Sequence, residues 1–120
     1  MGKYRKIVGD FGELLARRYL VGKGYEIVAT KVKSSYQEID IIARYKNKMI
    51  FVEVKTRTSD MLGEADEAMD IKKIKNLKKA IQDYALVNNY DFDDTRGDLV
   101  AIMIDKTKKI ANIKHYKDVF

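Results

Sequence analysis

The sequence contains no cysteine and no proline. The absence of cysteine excludes disulfide bonds, thiolate zinc sites and cysteine nucleophiles. Without proline, and with only seven glycines, no stretch has the composition of an interdomain linker. No apolar run is long enough to span a bilayer, and the basic start Met1–Lys6 is not followed by the apolar stretch of a signal peptide. These absences predict a cytoplasmic protein that folds as a single domain over residues 1–120.

The sequence does contain a large apolar fraction and an excess of positive charge. Hydrophobic residues make up 46% of the 120 residues, which is enough to bury a core. The net charge of +6 favours a polyanionic partner, and either nucleic acid or an anionic membrane would satisfy it. The alternative is a lysine-rich proteome, because lysine outnumbers arginine in this chain.

Apolar periodicity predicts two helices and five strands in the order α-β-β-β-α-β-β. Helical spacing marks residues 4–23 and 65–88, and strand patterns mark residues 25–32, 36–45, 48–57, 98–104 and 110–116. Residues 58–63 have the composition of a loop. Acidic side chains would open the second helix, where the helix dipole favours negative charge: Asp66, Glu67 and Asp70. This order predicts an α/β fold with a central mixed sheet flanked by helices.

The second and third strands carry acidic residues where apolar ones would be more stabilising. If a two-residue turn at Lys46-Asn47 joins them, Asp40 falls opposite Glu53. A four-residue loop would keep this register, and a three-residue loop would break it. Alternation then places Glu38, Asp40, Glu53 and Lys55 on one face, and Ile39, Ile41, Val52 and Val54 on the other.

Facing carboxylates destabilise a strand pair unless a cation lies between them. Mg²⁺ takes oxygen ligands, often one or two carboxylates with water and substrate phosphate. Lys55 points to the same side as Glu53 and could orient a water or stabilise charge on a phosphate. Asp40, Glu53 and Lys55 are therefore the residue types that metal-dependent phosphodiester hydrolysis needs. The alternative is an ordinary cross-strand ion pair between Glu38 and Lys55.

An ordered series of motifs extends over almost the whole chain. It comprises Gly9, Gly12-Glu13, Ala16, Tyr19-Leu20, Lys23-Gly24-Tyr25, Ile27, Glu38-Ile39-Asp40, Phe51 to Arg57, Gly63, Lys72, Leu77, Ala80 and Asp98-Leu99-Val100. The series closely resembles the YraN-like family of uncharacterised proteins. That family is viewed as a branch of the PD-(D/E)xK nuclease superfamily, near the archaeal Holliday-junction resolvases.

The resemblance implies a restriction-endonuclease-like α-β-β-β-α-β core and a site for Mg²⁺ or Mn²⁺. It implies that Asp40, Glu53 and Glu13 are the metal ligands and that Lys55 is the catalytic lysine. From the residues alone, Glu13 is better interpreted as an exposed helix carboxylate. Resolvases cut symmetrically, which implies a homodimer.

The chain departs from the family pattern in one segment. Gln37 stands where the family usually has glycine, and Ser34-Ser35-Tyr36 replaces an arginine-containing stretch. Ile39 stands where the superfamily has its name-giving proline, which is usual for this branch. The four catalytic positions are intact, so the departures concern contacts with the substrate.

Basic residues near the predicted site are candidates for holding nucleic acid. Lys72, Lys75 and Lys79 share one face of the second helix, and Arg57 follows the strand that carries Glu53. Lysines on a helix bind backbone phosphates without reading sequence, although they also occur on ordinary solvated faces. Asp98 is expected to be a buried partner of Arg96 or Arg57. The single histidine, His115, is given no catalytic role.

Three functions remain open from the sequence. The first is a Mg²⁺-dependent endonuclease that hydrolyses DNA, with branched or structured DNA as the expected substrate and with no membrane partner. The second is a nucleic-acid-binding module that keeps the fold without turnover. The third is an interaction protein in which the acids remain as ion pairs.

Overall fold

The computed structural model describes residues 2–60 and 71–120. Within these residues the elements are α1 (Gly2–Gly22), β1 (Glu26–Val32), β2 (Ile39–Tyr45), β3 (Lys48–Thr58), α2 (Ile71–Val87), β4 (Thr95–Asp105) and β5 (Ile110–Tyr116). A short 3₁₀ helix, Phe92–Asp94, precedes β4. The predicted order α-β-β-β-α-β-β is confirmed, and it is the order of a restriction-endonuclease-like core.

The five strands form one mixed sheet in the order β1-β2-β3-β4-β5. β3 and β4 are parallel, and the other neighbouring strands are antiparallel. The parallel pair requires a crossover between β3 and β4, and α2 lies in that crossover. Residues 65–70, which include the predicted acidic start of the second helix, lie outside the described residues, as do residues 61–63 of the predicted loop.

Two apolar clusters cover opposite faces of the sheet. The cluster under α1 contains Ala16 and Leu20 together with Ile41 and Val52 of the sheet. The cluster under α2 contains Ala80, Ile81, Ile42 and Phe51, among others. Adjacent residues of β2 and β3 therefore point to different helices, as strand alternation requires. The described helices contain no segment that is both long and apolar enough to cross a membrane.

The approach of α1 to the sheet depends on Gly12. A Cβ atom added at this position would overlap the side chain of Thr56 on β3, so only glycine permits the observed packing. α1 then ends in a glycine cap: Gly24 adopts a φ of 94°, and the N–H of Tyr25 donates to the carbonyl of Leu20 at 2.9 Å. The close approach of Gly12 to Thr56 determines which face of α1 meets the sheet, and hence where the next residue, Glu13, lies.

The β2–β3 hairpin has the predicted register. Tyr45 pairs with Lys48, and Lys46 and Asn47 form a two-residue turn with φ values of 49° and 66°. The ladder extends to the pair of Ile41 with Val52.

The prediction that Ile39 and Ile41 share a face is wrong. Ile39 packs in the cluster under α2, whereas Ile41 packs in the cluster under α1. The regular ladder between β2 and β3 ends at Ile41, and beyond it the carboxylate of Asp40 accepts the N–H of Val54. β2 thus leaves its regular alternation at Asp40.

Candidate functional site

The site forms where β2 leaves its regular pairing with β3. Oδ2 of Asp40 accepts a hydrogen bond of 2.8 Å from the N–H of Val54, which fixes the carboxyl group of Asp40 against β3. The carboxyl group of Glu53 lies close enough to that of Asp40 to interact with it. The structure therefore brings together the two acids that the hairpin register predicts to face each other.

Two further carboxylates approach Asp40. Glu13 of α1 and Glu38, just before β2, each bring a carboxylate oxygen so that the oxygens of these two residues and Asp40 lie within 4.8 Å of one another. Glu38 forms no ion pair with Lys55 among the described residues, so the alternative based on that pair is wrong. Sequence reasoning placed Glu38 beside Asp40 but did not assign it to the metal site.

Glu13 is held in place rather than left exposed. Its Oε2 lies 3.3 Å from Nζ of Lys31 at the end of β1, and its side chain is only 12% exposed. Lys31 also pairs with Asp10 at 2.8 Å, one turn earlier on α1. These contacts hold the side chain of Glu13 at the end of β1.

Glu53 is buried and has a cationic partner. Its relative exposure is 4%, and Oε2 lies 3.3 Å from Nζ of Lys73 on α2. The amide of Gln37 donates a second, longer hydrogen bond to the same oxygen at 3.4 Å. Burying a carboxylate is costly without such partners. Sequence reasoning missed Lys73, because the spacing of lysines on a helix does not show how the helix is rotated against the sheet.

The acids and lysines perturb each other's protonation. Burial, followed by the hydrogen bond and the charge of Glu53, raises the pKa of Asp40 to about 9. Burial and the neighbouring ammonium group of Lys73 lower the pKa of Lys55 to about 8, although Glu53 opposes this change. Burial and like charges at close range are the usual causes of such shifts, which cluster at functional sites.

The donor set is suited to a hard divalent cation. Glu13, Glu38 and Asp40 form a cluster of carboxylate oxygens, and Glu53 lies beside Asp40 without belonging to that cluster. Mg²⁺ and Mn²⁺ prefer such oxygen ligands. A cation among these groups would remove the repulsion that now favours protonation of Asp40. The residues present therefore fit the metal that the resemblance implies.

A small basic cleft adjoins Lys55. Its volume is about 170 Å³, and Lys55 and Arg57 of β3 line it together with Arg5 of α1. Nη1 of Arg57 donates to the carbonyl of Thr56 at 3.0 Å, which holds the guanidinium near the strand. Arg5 was missed by sequence reasoning because its place beside β3 depends on how α1 packs.

The predicted phosphate-binding lysines lie on exposed positions of α2. Lys72, Lys75 and Lys79 are all exposed. Nζ of Lys79 lies 5.6 Å from the centre of the Tyr36 ring, in the turn that leads to Glu38. Lys73 of the same helix contacts Glu53, so α2 runs beside the acids.

Asp98 and His115 belong to a separate buried network. Arg96 forms two hydrogen bonds of 2.9 Å with the carboxylate of Asp98, which confirms one of the two partners predicted for Asp98. Nε2 of His115 lies 2.7 Å from Asp98, and the hydroxyl of Tyr19 lies 3.2 Å from Nδ1 of His115. A proton on Nε2 satisfies both contacts. Both ring nitrogens of His115 therefore have partners, Asp98 and Tyr19, in this buried network.

Comparisons with known proteins match the same family over nearly the whole chain. The model of the "Uncharacterised protein family UPF0102" matches residues 12–102. A UPF0102 protein of Caldanaerobacter subterraneus subsp. tengcongensis is 38% identical over 97% of this chain and 96% of its own length. UPF0102 proteins of Flavobacterium psychrophilum and Caldicellulosiruptor bescii are 38% and 39% identical, over 94% and 96% of this chain and 92% and 98% of their own lengths.

Proposed function

This chain belongs to the uncharacterised protein family UPF0102, and from the geometry of its site we propose that it is a metal-dependent endonuclease. Its reaction is hydrolysis of phosphodiester bonds in DNA, with branched or structured DNA as the expected substrate. The observation that carries the proposal is the contact between Asp40 and Glu53, with Glu13 and Glu38 grouped around Asp40 and Lys55 two residues from Glu53.

Asp40, Glu53 and Glu13 are the proposed ligands of Mg²⁺ or Mn²⁺, and Glu38 adds a fourth carboxylate. When bound, the metal supplies a water of lowered pKa and stabilises charge on the reacting phosphate. The hydrogen bond from Val54 fixes Asp40, and the ion pair with Lys31 holds Glu13, which supports their proposed role as ligands. Such contacts preorganise a site before substrate binds.

In this proposal the acidic residues bind the metal, and the basic residues hold the substrate. Lys55 and Arg57 can bind the scissile phosphate and its neighbour, and Arg5 of α1 lies beside the same part of β3. Lys72, Lys75 and Lys79 on α2 can bind phosphates farther along the strand. The resulting affinity would depend strongly on salt and weakly on sequence.

A cleavage assay on purified protein tests the proposal. The full chain is incubated with single-stranded, duplex and four-way-junction DNA in Mg²⁺, in Mn²⁺ and in chelator. We expect metal-dependent cleavage by the wild type and none by Asp40→Ala or Lys55→Ala. If the wild type binds these DNAs and cuts none of them, the chain is a non-catalytic binding module. If it neither binds nor cuts them, an interaction role is favoured.

A further inference from the structure

Tyr36 is displayed on an ordered turn between β1 and β2. The residue is 48% exposed, so its ring is accessible to a ligand. Oγ of Ser34 accepts hydrogen bonds from the N–H groups of Tyr36 and Gln37, at 3.2 and 3.0 Å, and donates to the carbonyl of Gln37 at 2.7 Å. These three bonds hold the backbone that carries the ring.

The same turn is attached to the candidate site. Nε2 of Gln37 donates to Glu53, and Glu38 places its carboxylate beside those of Glu13 and Asp40. Because two residues span at most about 7 Å of backbone, the Cα atom of Tyr36 lies within about 7 Å of that of Glu38. The backbone that carries the ring is therefore attached to the site through its neighbours Gln37 and Glu38.

A lysine of α2 completes this surface. Nζ of Lys79 lies 5.6 Å from the centre of the Tyr36 ring, a distance at which the ammonium group is attracted to the ring. Lys79 belongs to the same helix face as Lys72 and Lys75. The surface thus combines an exposed aromatic ring with cations along one line. Nucleobases stack on such rings while cations hold the adjoining phosphates.

We propose that Tyr36 and Lys79 form a platform on which one unpaired nucleobase stacks beside the scissile phosphate. The platform rests on the proposed nuclease function and narrows its substrate to nucleic acid with an unpaired nucleotide at the cleavage point. A base within a duplex already has neighbours on both faces, so it cannot stack on Tyr36 without leaving the helix. Stacking uses the face that every base has, so the platform accepts all four bases and both DNA and RNA.

Binding in chelator tests the platform without requiring cleavage. Fluorescence anisotropy gives the affinity of the full chain for labelled single-stranded DNA, single-stranded RNA and duplex DNA. Tyr36→Leu removes the aromatic face but keeps an apolar side chain, and it should weaken single-strand binding roughly 5- to 150-fold. Tyr36→Trp should retain the affinity. Phe92→Ala, which removes another exposed aromatic residue near the opposite end of β3, should have no effect.

A scan with abasic sites locates the stacked base. Oligonucleotides that each lack one base should bind the wild type normally except at a single position, and Tyr36→Leu should lose this position dependence. Equal weakening of duplex and single-strand binding by Tyr36→Leu would overturn the platform, as would wild-type affinity in that variant. A wild type that cleaves DNA while Tyr36→Leu binds normally would reject the platform alone. A wild type that never cleaves but shows the abasic pattern would reject the nuclease function alone.

Discussion

The N–H of Val54 donates a hydrogen bond of 2.8 Å to the carboxylate of Asp40, so the central acid of the site is anchored by the neighbouring strand. The bond lies beyond the end of the regular β2–β3 ladder. It holds the carboxylate of Asp40 next to those of Glu13 and Glu38. Asp40→Asn keeps an oxygen that can accept the hydrogen bond from Val54. It therefore tests the role of the carboxylate in cleavage with less effect on folding than Asp40→Ala.

Glu38 is predicted to contribute to metal binding although sequence reasoning did not include it among the ligands. Glu38→Gln removes one of the carboxylates grouped around Asp40, and we expect the affinity for Mn²⁺ to fall about tenfold or more. Isothermal titration calorimetry measures this change. Glu26→Gln is the matched control because Glu26 is an exposed acid paired with Arg44 at the other end of β1. Equal affinities in wild type and Glu38→Gln would exclude Glu38 from the site.

Gly12→Ala should destabilise the fold. The added Cβ atom would overlap the Thr56 side chain, and overpacking of this kind costs about 1–3 kcal/mol. Gly9→Ala is a matched control on the same helix, since nothing lies within 4 Å of its added Cβ atom. Alanine there should stabilise α1 by about 0.5–1 kcal/mol. Urea denaturation of both variants measures the difference, and a neutral Gly12→Ala would show that α1 does not pack as described.

The network around Asp98 predicts a specific acid sensitivity. Although burial opposes it, hydrogen bonds from His115, Arg96 and the N–H of Asp118 hold the pKa of Asp98 below its usual value. A lowered carboxyl pKa stabilises the fold above the unfolded value of about 3.9, and this stability is lost as the pH falls through the folded value. Asp98→Asn should cost about 3–5 kcal/mol at neutral pH because it disrupts a buried ion pair.

Urea midpoints at neutral pH and near pH 3 test this expectation. The difference between wild type and Asp98→Asn should narrow at the lower pH, because Asp98 of the unfolded wild type binds a proton below about pH 3.9 whereas the folded state resists protonation. A difference that stays constant over this range would mean that the charge of Asp98 does not stabilise the fold.

The α2 lysines should determine how binding to DNA depends on salt. Replacing Lys72, Lys75 and Lys79 with glutamine should reduce the slope of log affinity against log salt by about 2 to 3, since each phosphate contact contributes roughly 0.7–0.9. A second triple variant, in which Lys23, Lys46 and Lys48 become glutamine, changes the net charge equally near the β2–β3 turn. It should leave the slope unchanged. Equal slopes in the two triple variants would reject α2 as the binding helix.

The sequence predicted those parts of the site that depend on local pattern. The turn at Lys46-Asn47 determines which β2 residues face which β3 residues as far as Ile41 and Val52, so the neighbourhood of Asp40 and Glu53 could be predicted from spacing. The contacts of Lys73 and Arg5 could not be predicted from spacing, because they depend on the rotation of α2 and α1 against the sheet. The packing of Ile39 under α2 could not be predicted either, because the rule of strict alternation does not show where a ladder ends.

The most direct test of the site is the rate of DNA cleavage in Mn²⁺ by wild type, Asp40→Asn and Asp83→Asn, measured side by side. Asp83 is an exposed acid of α2 and serves as the control for the loss of one charge. We expect cleavage by the wild type and by Asp83→Asn, and a rate at least about a hundredfold lower for Asp40→Asn. Cleavage by Asp40→Asn at the wild-type rate would contradict the assignment of the site.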